Sequence, residues 1–192
     1  AIRVLKALLA RERQPILALE MFGWDGQSGL DRYLSDPTRS RDQFLQESRW
    51  EQNWGGAFGD YEPLIAFARE HHLSVLALNP PRPVVRRVAS EGWAHAMAAP
   101  DIVGWGMQDQ VLLDDPAYRD VIFKQLRSCH DSLPDDAYQR MFEASVFRDE
   151  GMARTIADYL SRKQPSQGPL LSYTGGGHIQ YRLPVPNRVL RR

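Results

Sequence analysis

Three short apolar runs constrain the fold of this chain most, because each of them stops at a polar side chain. The runs are ILAL before Glu20, VLAL before Asn79, and a run beginning at Leu170 that stops at three glycines directly before His178. Runs of this length, separated by helical patterns, are typical of buried strands in a parallel sheet. Ligands of such sheets bind outside the carboxyl ends of the strands. We therefore expect Glu20, Asn79 and His178 to converge on one site.

The segments between these runs have the apolar periodicity of helices, so the sequence predicts an α/β fold with a mostly parallel sheet flanked by helices. We expect residues 1–192 to form a single domain, since this length suits one α/β core. Residues 99–134 contain prolines, glycines and paired aspartates. They are predicted to form a small helical cap inserted between strand layers.

Charge and composition exclude several classes of protein. Lys and Arg number 24 and Asp and Glu number 24, so the net charge is zero, which argues against a nucleic-acid partner. We expect neither a transmembrane span nor a signal peptide. The chain opens inside an amphipathic pattern, as if a preceding segment had been removed. A single cysteine, Cys129, excludes an intramolecular disulfide and a multi-cysteine metal site.

Charged residues at unusual places are the first candidates for a pocket. Glu20 follows a buried strand, where a carboxylate needs a partner, so it is a ligand, a salt-bridge partner or a cap. Arg82 lies beside Asn79 and suits a carboxylate, although a surface position is the alternative. Arg148 and Asp149 fall in the middle of a predicted long helix. We expect one of these two to face the site.

Motifs for several enzyme classes are missing from the sequence. We find no glycine fingerprint for a dinucleotide, no phosphate-binding loop and no nucleophile elbow of a serine hydrolase. One glutamate and one histidine at strand ends suffice for acid–base chemistry. They fall one or two ligands short of a secure metal site.

Four motifs in a fixed order resemble those of a known family. They are ALEMF at residues 18–22, ALNPPR at 77–82, FRDEGMA at 147–153, and GGGHIQY at 175–181 followed by VPNR at 185–188. Together they resemble the ChaN-like haem-binding uptake family, which belongs to the larger group of the Tiki proteases, the TraB proteins and the erythromycin esterases. The resemblance covers nearly the whole chain.

This resemblance implies haem held in a pocket under a small helical cap, with a tyrosine as iron ligand and a histidine nearby. It also implies a homodimer of the periplasm or outer membrane that serves iron uptake, with a haem receptor system as partner. Any lipoprotein anchor would lie upstream of Ala1. The ligand candidates are Tyr118, Tyr138 and His130, for each of which a structural role is the alternative. The expected pocket residues are Glu20, Asn79, Arg82, Arg148, Asp149, His178 and Tyr181.

Two departures from the family pattern affect the expected chemistry. A Gly-Glu-x-His segment after an initial strand is missing, and residues 183–186 (LPVP) lack the glycine that usually precedes the valine. Haem binding without catalysis is therefore our first hypothesis. A metal-dependent hydrolase or peptidase that uses Glu20 and His178, with Asn79 and Arg82 orienting the substrate, is the alternative. An inactive scaffold is the third possibility.

Overall fold

A computed structural model describes most of the chain, namely residues 1–107, 115–130, 132–162 and 168–192. The chain divides into two compact units. The first contains Ala1–Pro81 and Thr155–Gly175, and the second contains Arg82–Arg154 and Gly176–Arg192. The single-domain organisation stays a prediction.

The first unit contains a sheet of three parallel strands. These are β1 (Ile16–Gly23), β2 (Val75–Asn79) and β3 (Leu170–Tyr173), in the order β2-β1-β3. β1 is central, and all eight of its residues are buried. Its near-continuous apolar sequence is what a strand needs when both of its faces are covered. The α/β fold with a parallel sheet flanked by helices is therefore confirmed.

Two details of the strands correct the sequence analysis. β1 continues beyond Glu20 to Gly23, and its pairing with β2 is irregular between Leu19 and Gly23, so Glu20 lies within the strand. β3 is half-buried, and its last residue, Tyr173, is exposed. The sequence predicted β3 to be a buried strand. Within the described sheet it pairs with β1 alone, and an edge strand has fewer neighbours to cover it.

Short helices pack against this sheet in the first unit. They are α1 (Ile2–Leu9), α2 (Gln27–Ser35), α3 (Arg41–Glu47), α4 (Trp50–Asn53) and α5 (Glu62–Glu70). The start of α3 is fixed by a capping box, in which Ser40 and Gln43 each bond the other's backbone N–H. A cap of this kind stabilises a helix of seven residues by about 1 kcal/mol.

Aromatic side chains form the centre of the core in the first unit. The ring of Trp50 lies 5.3 Å from that of Phe22 and 5.1 Å from that of Phe58, between centroids. The Trp50 side chain is fully buried, and its indole N–H donates to the Gly56 carbonyl at 2.8 Å. Burial of the ring and pairing of its N–H together favour one position for this side chain. α4 is thereby fixed against β1.

The second unit is helical in its described part. Its helices are α6 (Arg82–Glu91), α7 (Trp93–Met97), α8 (Pro100–Val103), α9 (Pro116–Cys129), α10 (Asp135–Arg162, of which residues 155–162 belong to the first unit) and α11 (Val185–Arg191). α8 and α9 fall in the predicted cap, of which residues 108–114 and 131 lie outside the described residues. Whether residues 99–134 act as a cap stays a prediction. No helix among the described residues combines the length and the apolar composition that are needed to cross a bilayer.

A close approach of two helices in the first unit generates a stability prediction. A Cβ added to Gly29 of α2 would lie 2.3 Å from the carbonyl carbon of Glu47, at the end of α3. Alanine favours a helix over glycine by about 1 kcal/mol, but the neighbouring atom is backbone and cannot swing away. We expect Gly29→Ala to lower the free energy of unfolding by about 1–3 kcal/mol, measured by urea denaturation.

Gly59→Ala is the matched control for this change. A Cβ at Gly59 would meet no other atom within 4 Å. The control should stay within about 0.5 kcal/mol of the parent chain. Equal stability of the two variants would show that α2 and α3 are not in close contact in solution.

Candidate functional site

Glu20 accepts hydrogen bonds within the first unit through both its side chain and its backbone carbonyl. The carboxylate Oε2 accepts the Gly175 N–H at 2.5 Å, and the Asn79 side-chain amide donates to the Glu20 carbonyl at 2.9 Å. Both side chains are buried, at 4% and 8% exposure. The structure therefore brings Glu20 and Asn79 into contact within the first unit. His178 belongs to the second unit, and its convergence with these two residues stays a prediction.

Three side chains from three segments meet at one buried carboxylate in the second unit. Asp149 of α10 is 2% exposed. Its Oδ2 accepts a hydrogen bond from the Tyr118 hydroxyl of α9 at 2.6 Å, and its Oδ1 lies 2.5 Å from Nδ1 of His178. His178 ends a 3₁₀ turn that begins at Gly176. We refer to these three residues as the Asp149 cluster.

Tyr118 keeps its proton in this cluster. Burial raises the pKa of the Tyr118 hydroxyl well above its ordinary value of 10.0, and the negative charge of Asp149 and the hydrogen bond to it raise this pKa further. The guanidinium of Arg188, whose central carbon lies 3.9 Å from the centre of the Tyr118 ring, acts in the opposite direction. Tyr118 is therefore a hydrogen-bond donor to the carboxylate at neutral pH.

The contact with Asp149 also defines the chemistry of His178. A carboxylate next to Nδ1 favours the tautomer that has its proton on this nitrogen. Nε2 is then the ring atom that can accept a proton or coordinate a metal, and a carboxylate partner makes a ligating imidazole more basic. The His178 side chain is 17% exposed, so the ring is largely enclosed while part of it reaches the surface.

The residue next to Asp149 has a different set of partners. Glu150 is 2% exposed, and one of its oxygens lies 2.9 Å from Nε of the fully buried Arg188. Arg192 contacts the other oxygen at 2.7 Å, and Arg191 approaches Glu150 at 3.4 Å. Arg188 also donates to the carbonyls of Leu183 and Pro184, at 3.0 and 3.1 Å. This ionic network fixes α11 to α10.

The remaining sequence-predicted residues lie in several places. The Tyr138 hydroxyl donates to the backbone carbonyl of His130, and the His130 side chain is exposed. Arg82 begins α6 and is half-buried, as is Arg148. Tyr181 is 79% exposed and has a left-handed backbone, with φ of 51°. The roles proposed for these residues stay predictions.

Sequence reasoning placed Tyr118, Asp149 and His178 in the candidate set but did not link them through Asp149. Their separations of 31 and 29 residues carry no periodic signal that would pair them. Glu150 was not singled out, although it follows Asp149 directly in the helix. A second carboxylate beside a residue expected to face the site was the available signal, since a buried carboxylate needs a partner of its own.

Metal binding by several protein ligands has no support among the described residues, because no group of three or more His, Cys, Asp or Glu side chains is placed to hold an ion there. The arrangement that is present is one histidine oriented by one carboxylate. Such a pair can accept a proton, or it can supply a single axial ligand to a metal that is already held by another molecule.

The fold and these residues define an α/β protein with a carboxylate-oriented histidine in its helical unit. Over residues 1–189 the chain matches the family described as "Haem-binding uptake, Tiki superfamily, ChaN", and it belongs to that family. The prediction made from the four motifs is thereby confirmed.

Two further comparisons bear on the fold and on a partial relative. The solved structure described as "Cofacial heme binding to ChaN of Campylobacter jejuni" matches 98% of this chain and 67% of that chain, with a TM-score of 0.70 and 18% identity. This likeness shows the fold. The protein RETICULATA-RELATED 5, chloroplastic, of Arabidopsis thaliana is 32% identical over 88 residues, which are 45% of this chain and 11% of that protein. This chain therefore matches only a small part of that relative.

The raised pKa of Tyr118 generates a prediction about alkaline pH. Above pH 10 the unfolded chain releases the Tyr118 proton while the folded chain retains it, so stability falls as pH rises. Between pH 9 and 11 we expect the parent chain to lose about 1.4 kcal/mol more than Tyr118→Phe does, measured by urea denaturation. Parallel stability curves for the two proteins would contradict this reading of Tyr118.

The ionic network around Glu150 generates a second prediction. Glu150→Gln leaves Arg188 buried beside a neutral group, and we expect a loss of about 3–5 kcal/mol in the free energy of unfolding. Arg188→Met combined with Glu150→Gln should recover part of this loss, because the unpaired charge is removed. A double variant that is less stable than Glu150→Gln would show that packing of Arg188, and not its charge, matters most.

Proposed function

We propose that this chain binds haem and that His178, oriented by Asp149, supplies a ligand to the iron. The observation that carries the proposal is the 2.5 Å contact between Nδ1 of His178 and the buried Asp149 carboxylate. Membership of a family described as haem-binding supports it independently. When bound, haem would supply an iron that a side-chain donor of this chain could ligate.

The imidazole of His178 has the chemistry of a haem ligand. A neutral imidazole is an ordinary axial ligand of haem iron, and an Nδ1–H bonded to a carboxylate fixes the ring and increases its basicity. Asp149 would hold that proton while Nε2 faces the iron. Tyr118 supports this arrangement, because its hydroxyl donates to the second oxygen of the same carboxylate at 2.6 Å.

The tyrosines expected to bind iron donate hydrogen bonds to other groups of the chain in this structure. Ferric iron prefers phenolate, yet burial and Asp149 raise the pKa of Tyr118 and keep it protonated. The Tyr138 hydroxyl donates to a carbonyl oxygen, which also requires its proton. Tyr181, the one tyrosine in residues 176–192, is exposed and lies three positions after His178, so it is the phenol to test beside the imidazole.

A finer proposal concerns the place of the protein in the cell. We infer that it handles haem as cargo in iron uptake, in the periplasm or at the outer membrane of a bacterium, as a homodimer that exchanges haem with a receptor system. The uptake function in the family description supports the first part. Fractionation of the native host with an antibody to this chain tests the location, and recovery in the cytosolic fraction would contradict it.

Titration of the purified chain with hemin, followed by absorbance in the Soret region, tests haem binding. We expect saturable binding with a defined stoichiometry. His178→Ala should change the Soret maximum and weaken binding by about 10–100-fold, as loss of a metal ligand or its orienting partner does. Asp149→Asn should shift the spectrum in the same direction, because it removes the acceptor for Nδ1–H.

Four further variants separate the candidate ligands. Tyr118→Phe, Tyr138→Phe, His130→Ala and Tyr181→Phe should each leave the spectrum close to that of the parent chain. If one of these substitutions alone changed the spectrum, that residue and not His178 would be the iron ligand. A flat titration with no Soret shift would reject haem binding. Divalent-metal analysis and a peptidase screen with Glu20→Gln would then test the hydrolase alternative.

A further inference from the structure

Two glycines next to His178 are required neither by the backbone nor by packing. Among the described residues, a Cβ added to Gly176 or Gly177 would meet no atom within 4 Å apart from those of its chain neighbours, and neither residue has the left-handed φ that favours glycine. Glycine at such a position costs stability, because replacement by alanine typically adds about 0.4–1 kcal/mol. The folded chain alone therefore gives no reason for two consecutive glycines here.

Glycines elsewhere in the chain show the contrast. A Cβ at Gly26 would lie 2.2 Å from the Ser48 carbonyl oxygen, and one at Gly168 would lie 2.0 Å from the Gln14 carbonyl oxygen. At those positions another part of the chain occupies the space that a side chain would need. At Gly176 and Gly177 the corresponding space is open. Something outside the chain can come as close to this backbone as its own elements do at Gly26.

The residues that follow the two glycines independently indicate what kind of group could approach this backbone. Ile179 is 52% exposed and Tyr181 is 79% exposed. Single exposed apolar residues are common, but here two large ones follow a largely enclosed histidine within one short segment. Residues 176–181 thus combine open backbone, exposed apolar side chains and an imidazole held by Asp149.

We propose that residues 176–181 form the contact face for a flat apolar macrocycle, with the Gly176 and Gly177 backbone against the porphyrin plane. The missing side chains let the ring approach to van der Waals distance, and Ile179 and Tyr181 cover apolar surface beside it. This proposal rests on the proposed haem binding and adds that the segment contacts the porphyrin itself. It is therefore distinct from iron ligation by His178.

The test compares hemin with iron-free protoporphyrin IX. Each is titrated into the parent chain, Gly176→Ala and Gly177→Ala, by absorbance for hemin and by fluorescence for protoporphyrin. A methyl group inserted between the backbone and the porphyrin should weaken the binding of both ligands by about tenfold or more. Gly59→Ala, whose Cβ would also enter open space, should bind both ligands as the parent chain does.

Two further measurements keep the outcomes distinct. Urea denaturation should find both glycine variants at least as stable as the parent chain, so weaker binding is not unfolding. His178→Ala should weaken hemin more than protoporphyrin, because only hemin offers iron to the imidazole. No hemin binding by the parent chain would reject the proposed function itself.

Any of four results would overturn the contact face while haem binding stands. The first is that both glycine variants bind hemin and protoporphyrin with unchanged affinity, and the second is that they bind hemin more weakly but protoporphyrin as the parent chain does. The third is that the parent chain shows no measurable binding of protoporphyrin. The fourth is that the glycine variants are less stable than the parent chain. The last result would give the glycines a structural reason after all.

Discussion

Two neighbouring buried carboxylates, Asp149 and Glu150, determine how the described part of the second unit is arranged. Successive residues of a helix point about 100° apart, so the two side chains reach different partners. Each would cost several kcal/mol if buried without a partner. Asp149 is satisfied by Tyr118 and His178, and Glu150 by arginines of the C-terminal helix. One dipeptide of α10 thus anchors both the turn that carries His178 and the helix that follows it.

The arrangement around Asp149 favours imidazole over phenolate as the iron ligand. Removing the Tyr118 proton would place two negative oxygens 2.6 Å apart in a buried environment, where such repulsion is weakly screened. The same carboxylate has the opposite effect on His178, because it stabilises a proton on Nδ1 and leaves Nε2 as the basic atom. Tyr118 and His178 therefore share one partner but differ in what they can offer a metal.

The sequence predicted the fold well where periodicity is strong, and the site only in part. The long helix predicted around Arg148 and Asp149 is present as α10, Asp135–Arg162. The exposed edge of β3 was missed, because the four-residue sequence LLSY does not show how many strands will cover it. The link between Tyr118, Asp149 and His178 depends on how α9, α10 and the last segment pack together. No local pattern encodes it.

Gly176 and Gly177 lie along the chain between two residues that are anchored by hydrogen bonds. Within the first unit Glu20 holds the Gly175 N–H, and within the second Asp149 holds the His178 ring. The residues between these two anchored positions are Gly176 and Gly177, where each glycine forgoes roughly 0.4–1 kcal/mol relative to alanine. Flexible glycines between anchors would normally loosen a site. Their presence is understandable if bound ligand, and not the chain itself, fills the space beside them.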